Sequence, residues 1–179
     1  MMRSIALLSS AIVLAGCTVV TSDALVRESG SGHNGDGTVS LGHVSAGESI
    51  VLGLMSLCVE GTDSGTVDSV DAVGDGSIEV TGFAIDNVES GIPPVGAATS
   101  TLSDLGYRSN DNLVRVHCSN DGSVNQSQLL VQVVRRTDTT AMVEGFRVHW
   151  TADGAHGTFD ISFPNWLCDA SEVSCGPAR

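Results

Sequence analysis

The chain has 179 residues, with 21 acidic side chains against eight basic ones and a formal net charge of −13. That balance argues against nucleic acid or an anionic lipid surface as a partner, since both would repel it. All eight basic residues are arginine, which excludes a Walker A loop, a Schiff-base lysine and a Ser-Lys dyad.

In chain order, Arg3 precedes a short apolar run that ends in Leu14-Ala15-Gly16-Cys17. A charge, a hydrophobic core and a small-residue site, in that order, make the signal-peptide pattern. The core falls well short of the ~20 apolar residues that span a bilayer. "LAGC" after such a run resembles the lipobox of bacterial lipoproteins, and the resemblance covers residues 1–17 only. It implies cleavage between Gly16 and Cys17, a thioether-linked diacylglycerol on Cys17 and usually a further N-acyl chain. Two or three chains would hold the protein stably, because each buried CH₂ contributes ~0.8 kcal/mol. The partner so implied is the membrane, and the location is the cell envelope, facing away from the cytoplasm. Thr18 rather than aspartate follows Cys17, which in a two-membrane cell implies outer-membrane sorting; in a single-membrane cell the anchor stays in the plasma membrane. Residues 1–16 are thus expected to be signal peptide, 17–37 the lipidated cysteine and a Gly/Ser-rich linker, and 38–179 the folded domain.

From residue 38 onward, strand-length apolar segments alternate with turn residues. "TVSLGHV" is followed by "SIVLGLMSLCV", whose near-continuous apolar character predicts a strand buried on both faces. "GTVDSVDAV" passes through Gly74-Asp75-Gly76 into "SIEVTGFAI", where the alternation changes phase at Gly82, as a β-bulge would make it do. After Pro93-Pro94, "TLSDLG" suits one short helical turn. "NLVRVHC", "SQLLVQVVRR", "AMVEGFRVHW" and "TFDISF" read as further strands, the last two joined through Asp153-Gly154. Phe146, Val148 and Trp150 share one face; Phe159, Ile161 and Phe163 alternate likewise, and with Trp166 they predict one aromatic cluster in the core. About eight strands and no long amphipathic helix predict an all-β fold, an antiparallel β-sandwich of immunoglobulin-like type, with a closed barrel as the alternative.

Setting Cys17 aside leaves Cys58, Cys118, Cys168 and Cys175. An even set in an exported chain reads as two disulfides. Three pairings are open; the preferred one joins Cys58 to Cys118 across the core and Cys168 to Cys175 around a small C-terminal loop. Metal ligation by these cysteines is disfavoured, since no CxxC exists and no histidine lies near Cys168 or Cys175 in the sequence.

Other chemistry is thinly signalled. Asp63, Asp68, Asp71 and Asp75 lack the spacing of a D-x-[DN]-x-[DN]-G calcium loop and read as solvated faces and turns. His43, His117, His149 and His156 are the residues able to assemble a transition-metal site, with His117, His149 and His156 the candidate set. "GFRVHW" followed by "DGAHG" is loosely similar to the histidine-bearing strand of copper/zinc superoxide dismutases, but Arg147 stands where that family has its first histidine. Arginine stays protonated and cannot ligate a metal. Arg147 and His149 lie opposite the apolar face and are expected in solvent. No G-x-S-x-G elbow or H-E-x-x-H pair occurs. Asn125-Gln126-Ser127 is a formal glycosylation sequon, discounted because the lipobox resemblance implies a bacterial chain. The expectation is a binding or structural module without cofactor or catalysis, whose partner is an envelope protein or small ligand. The alternatives are a metal-binding protein and an enzyme with an unsignalled site. Ile92-Pro93-Pro94-Val95 is either a stiffened connection or an apolar contact patch.

Overall fold

The computed structural model describes residues 24–28, 39–88, 96–109, 111–118, 126–172 and 175–176. Cys17, the Ile92–Val95 segment and Asn125 lie outside the described residues. Those residues form ten strands: β1 (Leu25–Glu28), β2 (Val39–Leu41), β3 (Ser49–Glu60), β4 (Gly65–Gly74), β5 (Ile78–Val88), β6 (Ala97–Thr99), β7 (Leu113–Val114), β8 (Gln126–Arg135), β9 (Ala141–Ala152) and β10 (Ala155–Leu167). They make two sheets. One runs β1-β3-β8-β5, with β6 also on β3; the other runs β2-β10-β9-β4-β7. The first is antiparallel. The second is mixed, because β2 pairs with β10 in parallel (Val39 opposite Asn165), which corrects the expectation of a wholly antiparallel arrangement.

One core joins the two sheets. Ile50, Leu52, Leu57 and Val59 of β3 and Leu129, Val131 and Val133 of β8 meet Val67 and Val70 of β4, Phe146 and Val148 of β9, and Ile161 of β10. A bulge in β3 between Gly53 and Ser56 explains why the inward residues are even-numbered before it and odd-numbered after it. In β4 a bulge between Val67 and Ser69 likewise brings Val67 and Val70, three apart, to the same face. Asp68 and Asp71 are left outside.

The apolar run of β3 is buried on both faces, as its sequence predicts. Ile50 and Leu52 face the shared core, while Val51 faces outward with Ala84 and Leu130 into a second cluster roofed by Leu102 and Tyr107. Residues 101–106 supply that roof as a single helical turn. Asp104 accepts from the Thr101 backbone N–H, and the Thr101 hydroxyl accepts from the Asp104 N–H, a reciprocal cap. Gly106, at φ +87°, ends the turn. The bulge at Gly82 lies between Val80 and Gly82 opposite β8, and Asp153-Gly154 turns with both φ values positive, as predicted.

Three further expectations change. β1 falls inside the stretch 17–37 expected to be linker, yet it pairs with β3, Leu25 opposite Glu60. Trp166 is not part of the aromatic cluster: odd-numbered Phe159, Ile161, Phe163 and Leu167 turn inward, so strand alternation turns Trp166 out. Phe83 packs against the core in its stead. The Cys58–Cys118 disulfide forms, but sideways rather than across the core. Val59 donates to the Val116 carbonyl and Cys118 donates to that of Val59, so the bridge ties adjacent main chains with Cα atoms 4.8 Å apart. Val59 points into the shared core, and alternation turns Cys58 to the opposite side.

Candidate functional site

The chemistry-bearing residues gather in two places, and the histidines do not gather in either. On the outward face of the second sheet, β4, β9 and β10 bring charged residues into cross-strand rows. Asp71, Arg147 and Asp160 are register partners, and Ser69, His149 and Thr158 form the next row. Arg147 grips Asp160 with two parallel hydrogen bonds, Nε to Oδ1 and Nη2 to Oδ2, each 2.8 Å. Those bonds hold the Asp160 carboxyl below its ordinary value and raise the guanidinium. His149 Nε2 donates to Asp71 Oδ2 at 2.8 Å, and the Thr151 hydroxyl donates to Asp68. Arg147 and His149 therefore lie on the solvent side as expected, each with an acidic partner that the spacing did not announce.

His156 occupies the same outward face on β10, opposite Thr151. His117 is elsewhere, in the bridge beside Val59 on the first sheet. His43, at φ 58° after β2, donates through Nδ1 to the Ala170 carbonyl at 2.9 Å. No histidine belongs to any described group of three side chains whose ligating atoms converge.

The second place is the C-terminal loop. Cys168 and Cys175 are joined, with Cα atoms 5.5 Å apart. Parallel pairing of β2 with β10 carries Ser40 to this loop from the far end of the sequence, where its hydroxyl donates to the Cys175 carbonyl at 2.7 Å and lies 3.3 Å from Cys168 Sγ. His43 donates its backbone N–H to Glu172, and Thr140 donates its hydroxyl to the Glu172 carboxylate. The sequence places no histidine near these cysteines; the fold brings His43 to their loop. Cys168, Glu172 and Cys175 converge within 4.8 Å, the one such group among the described residues. Sulfurs bonded to each other are not thiolates, however, and only thiolates serve as the metal-binding form of cysteine. The arrangement acts as a clasp that holds β2, β10 and the loop after β8 together.

Beside the clasp lies a residue that sequence reading missed. Arg135 is 1% exposed. Its Nη1 donates to the Thr139 carbonyl at 2.5 Å and its Nη2 to that of Val44, while Nε is buried without a partner among the described residues. It binds the loop before β3 to the loop after β8. "VVRR" carries two arginines, and nothing local says that the first turns in while Arg136 turns out to Glu79.

Compared with protein-family models, with curated proteins and with solved structures, the chain matches none.

Proposed function

We propose that the chain is an envelope lipoprotein, anchored through lipid on Cys17, whose β domain works outside the cytoplasm as a binding or structural module rather than an enzyme. One observation carries the reading. Four of the five cysteines close two disulfides, Cys58–Cys118 and Cys168–Cys175, and the cysteine left over is the one that ends Leu14-Ala15-Gly16-Cys17. Disulfides persist in oxidising compartments, where a signal peptide would deliver the chain. The fifth cysteine is accounted for if lipid occupies its sulfur.

The same reading takes the two sheets as an immunoglobulin-like sandwich. Support comes from the core shared by both inner faces and from strands that pass repeatedly between the sheets; the parallel β2–β10 pair is a departure from that plan. The membrane is one partner, through the lipid. An envelope protein or small ligand is the other, and the charge of −13 disfavours nucleic acid. Metabolic labelling with a palmitate analogue should mark the protein and fail on the Cys17→Ser variant. Labelling that persists in Cys17→Ser overturns the proposal.

A further inference from the structure

We infer that the domain is held on the bilayer in one polarity, with the 61–64 turn and the β9–β10 turn toward the membrane and the Cys168–Cys175 clasp away from it. This rests on the lipidated Cys17 proposed above. The reason is β1. Leu25 pairs with Glu60 and Glu28 with Leu57, so the chain enters the first sheet at the C-terminal end of β3. Val26 is 1% exposed and seated against the start of β4, where a Cβ added to Gly65 would fall 2.3 Å from Val26 Cγ2. The strand is thus part of the body, and the leash ends at Ala24 rather than at residue 38.

That shortening fixes a reach. A trans chain advances at most ~3.6 Å per residue, so the stretch from Cys17 to Ala24 spans no more than ~25 Å. β3 alone has 12 residues, about 40 Å at ~3.3 Å each. A domain standing on its clasp end would lift Ala24 about 40 Å from the surface, beyond what the leash can follow. The upright pose and moderate tilts from it are reachable; the inverted one is not. With a leash to residue 38, every pose would have been open.

The two ends differ in what they present. At the Ala24 end are the 61–64 turn and the Asp153-Gly154 turn, with Glu60, Asp63 and Asp153 exposed. Those acids would not draw the domain to anionic headgroups, so the lipid alone holds this end near the bilayer. At the other end are the Gly74-Asp75-Gly76 turn, the 136–140 loop, the residues after β2 and the clasp. That end meets the aqueous space first and is the one offered to a soluble partner.

The absence of lysine makes a direct test available. In the acylated full-length protein, Asp63→Lys and Asp138→Lys each introduce one side-chain amine for a donor dye, both at exposed loop positions. The unsubstituted protein serves as the blank for the α-amine. The labelled proteins are placed in phosphatidylcholine vesicles containing a headgroup-labelled acceptor lipid. Energy transfer should be strong from position 63 and weak from position 138. Inserting about twenty Gly/Ser residues between Thr18 and Val19 should largely erase the difference, because such a chain is flexible. Equal transfer from the two positions, or greater transfer from 138, overturns the inference while leaving the anchor intact. If the unsubstituted protein fails to float with the vesicles, the lipid-anchor reading falls first and this one with it.

Discussion

Arg135 shows how one side chain can hold a region that its sequence neighbourhood does not mark. Its guanidinium satisfies the carbonyls of Val44 and Thr139 in a buried setting. Arg135→Ala would orphan the Val44 carbonyl and leave that of Thr139 to the Thr137 hydroxyl, so a loss of about 2 kcal/mol is expected in urea denaturation. A loss under about 1 kcal/mol would show that water replaces the side chain there. Gly145 is constrained by space rather than by charge. A Cβ added to it would stand 2.1 Å from the Ile161 carbonyl oxygen, a backbone atom of the neighbouring strand. Gly145→Ala should therefore cost about 3 kcal/mol, whereas Gly96→Ala, with nothing within 4 Å, should stay within about 0.5 kcal/mol. Acid sensitivity also belongs to single residues. The hydrogen bond from Arg136 holds Glu79 low and that from Arg147 holds Asp160 low; the Ser171 backbone N–H does the same for Asp169. A lowered folded-state pKa stabilises above the unfolded value and loses that contribution as pH falls through the folded one. Thermal stability should accordingly hold down to the ordinary values of 4.5 and 3.8 and decline below them. Solvent reaches each of these pairs and screens it, so the decline from any one is small. Asp160→Asn should flatten the acid limb slightly, and an unchanged limb would remove Asp160 from the account.

Among elements, legibility followed periodicity. β3 announced its two buried faces because three consecutive residues, Ile50, Val51 and Leu52, are all apolar. Gly82 announced its bulge because the alternation on either side is long enough to show a slip. β1 and β6, of four and three residues, are too short for any period to register, and their place is decided by the edge that β3 leaves open. The parallel β2–β10 contact was illegible for another reason: hydrophobic alternation says which face is buried, not which strand lies alongside. The Cys168–Cys175 bridge was legible from its short spacing, but the same limit hid the contacts of Ser40 and His43 that turn it into a clasp. The turn at 101–106 was legible as a turn, but its duty as a roof was not. Leu102 is 2% exposed and fills the outer cluster against Val51, Ala84 and Leu130. Leu102→Ala should destabilise by about 3 kcal/mol and should open that side of β8 to amide exchange. Unchanged protection at Val131 and Val133 would mean that the roof is dispensable.

For the molecule as a whole, the two disulfides differ in reach. Cys58 and Cys118 are 60 residues apart and Cys168 and Cys175 only 7. Chain-entropy arguments give about 4 kcal/mol for the first and about 2 kcal/mol for the second. Replacing the first pair with serine should consequently lower stability by the larger amount; the reverse order would show that the clasp matters through its contacts rather than its loop.

The pairing of Val39 with Asn165 also sets an order of assembly. In chain order β2 precedes its partner β10 by seven intervening strands. Until β10 arrives, β9 has an open edge along its whole length, and an unpaired edge is a template for a second chain. The second sheet therefore stays incomplete until β10 joins it, and β2 has no partner in that sheet before then. Chains truncated before residue 155 should associate rather than fold.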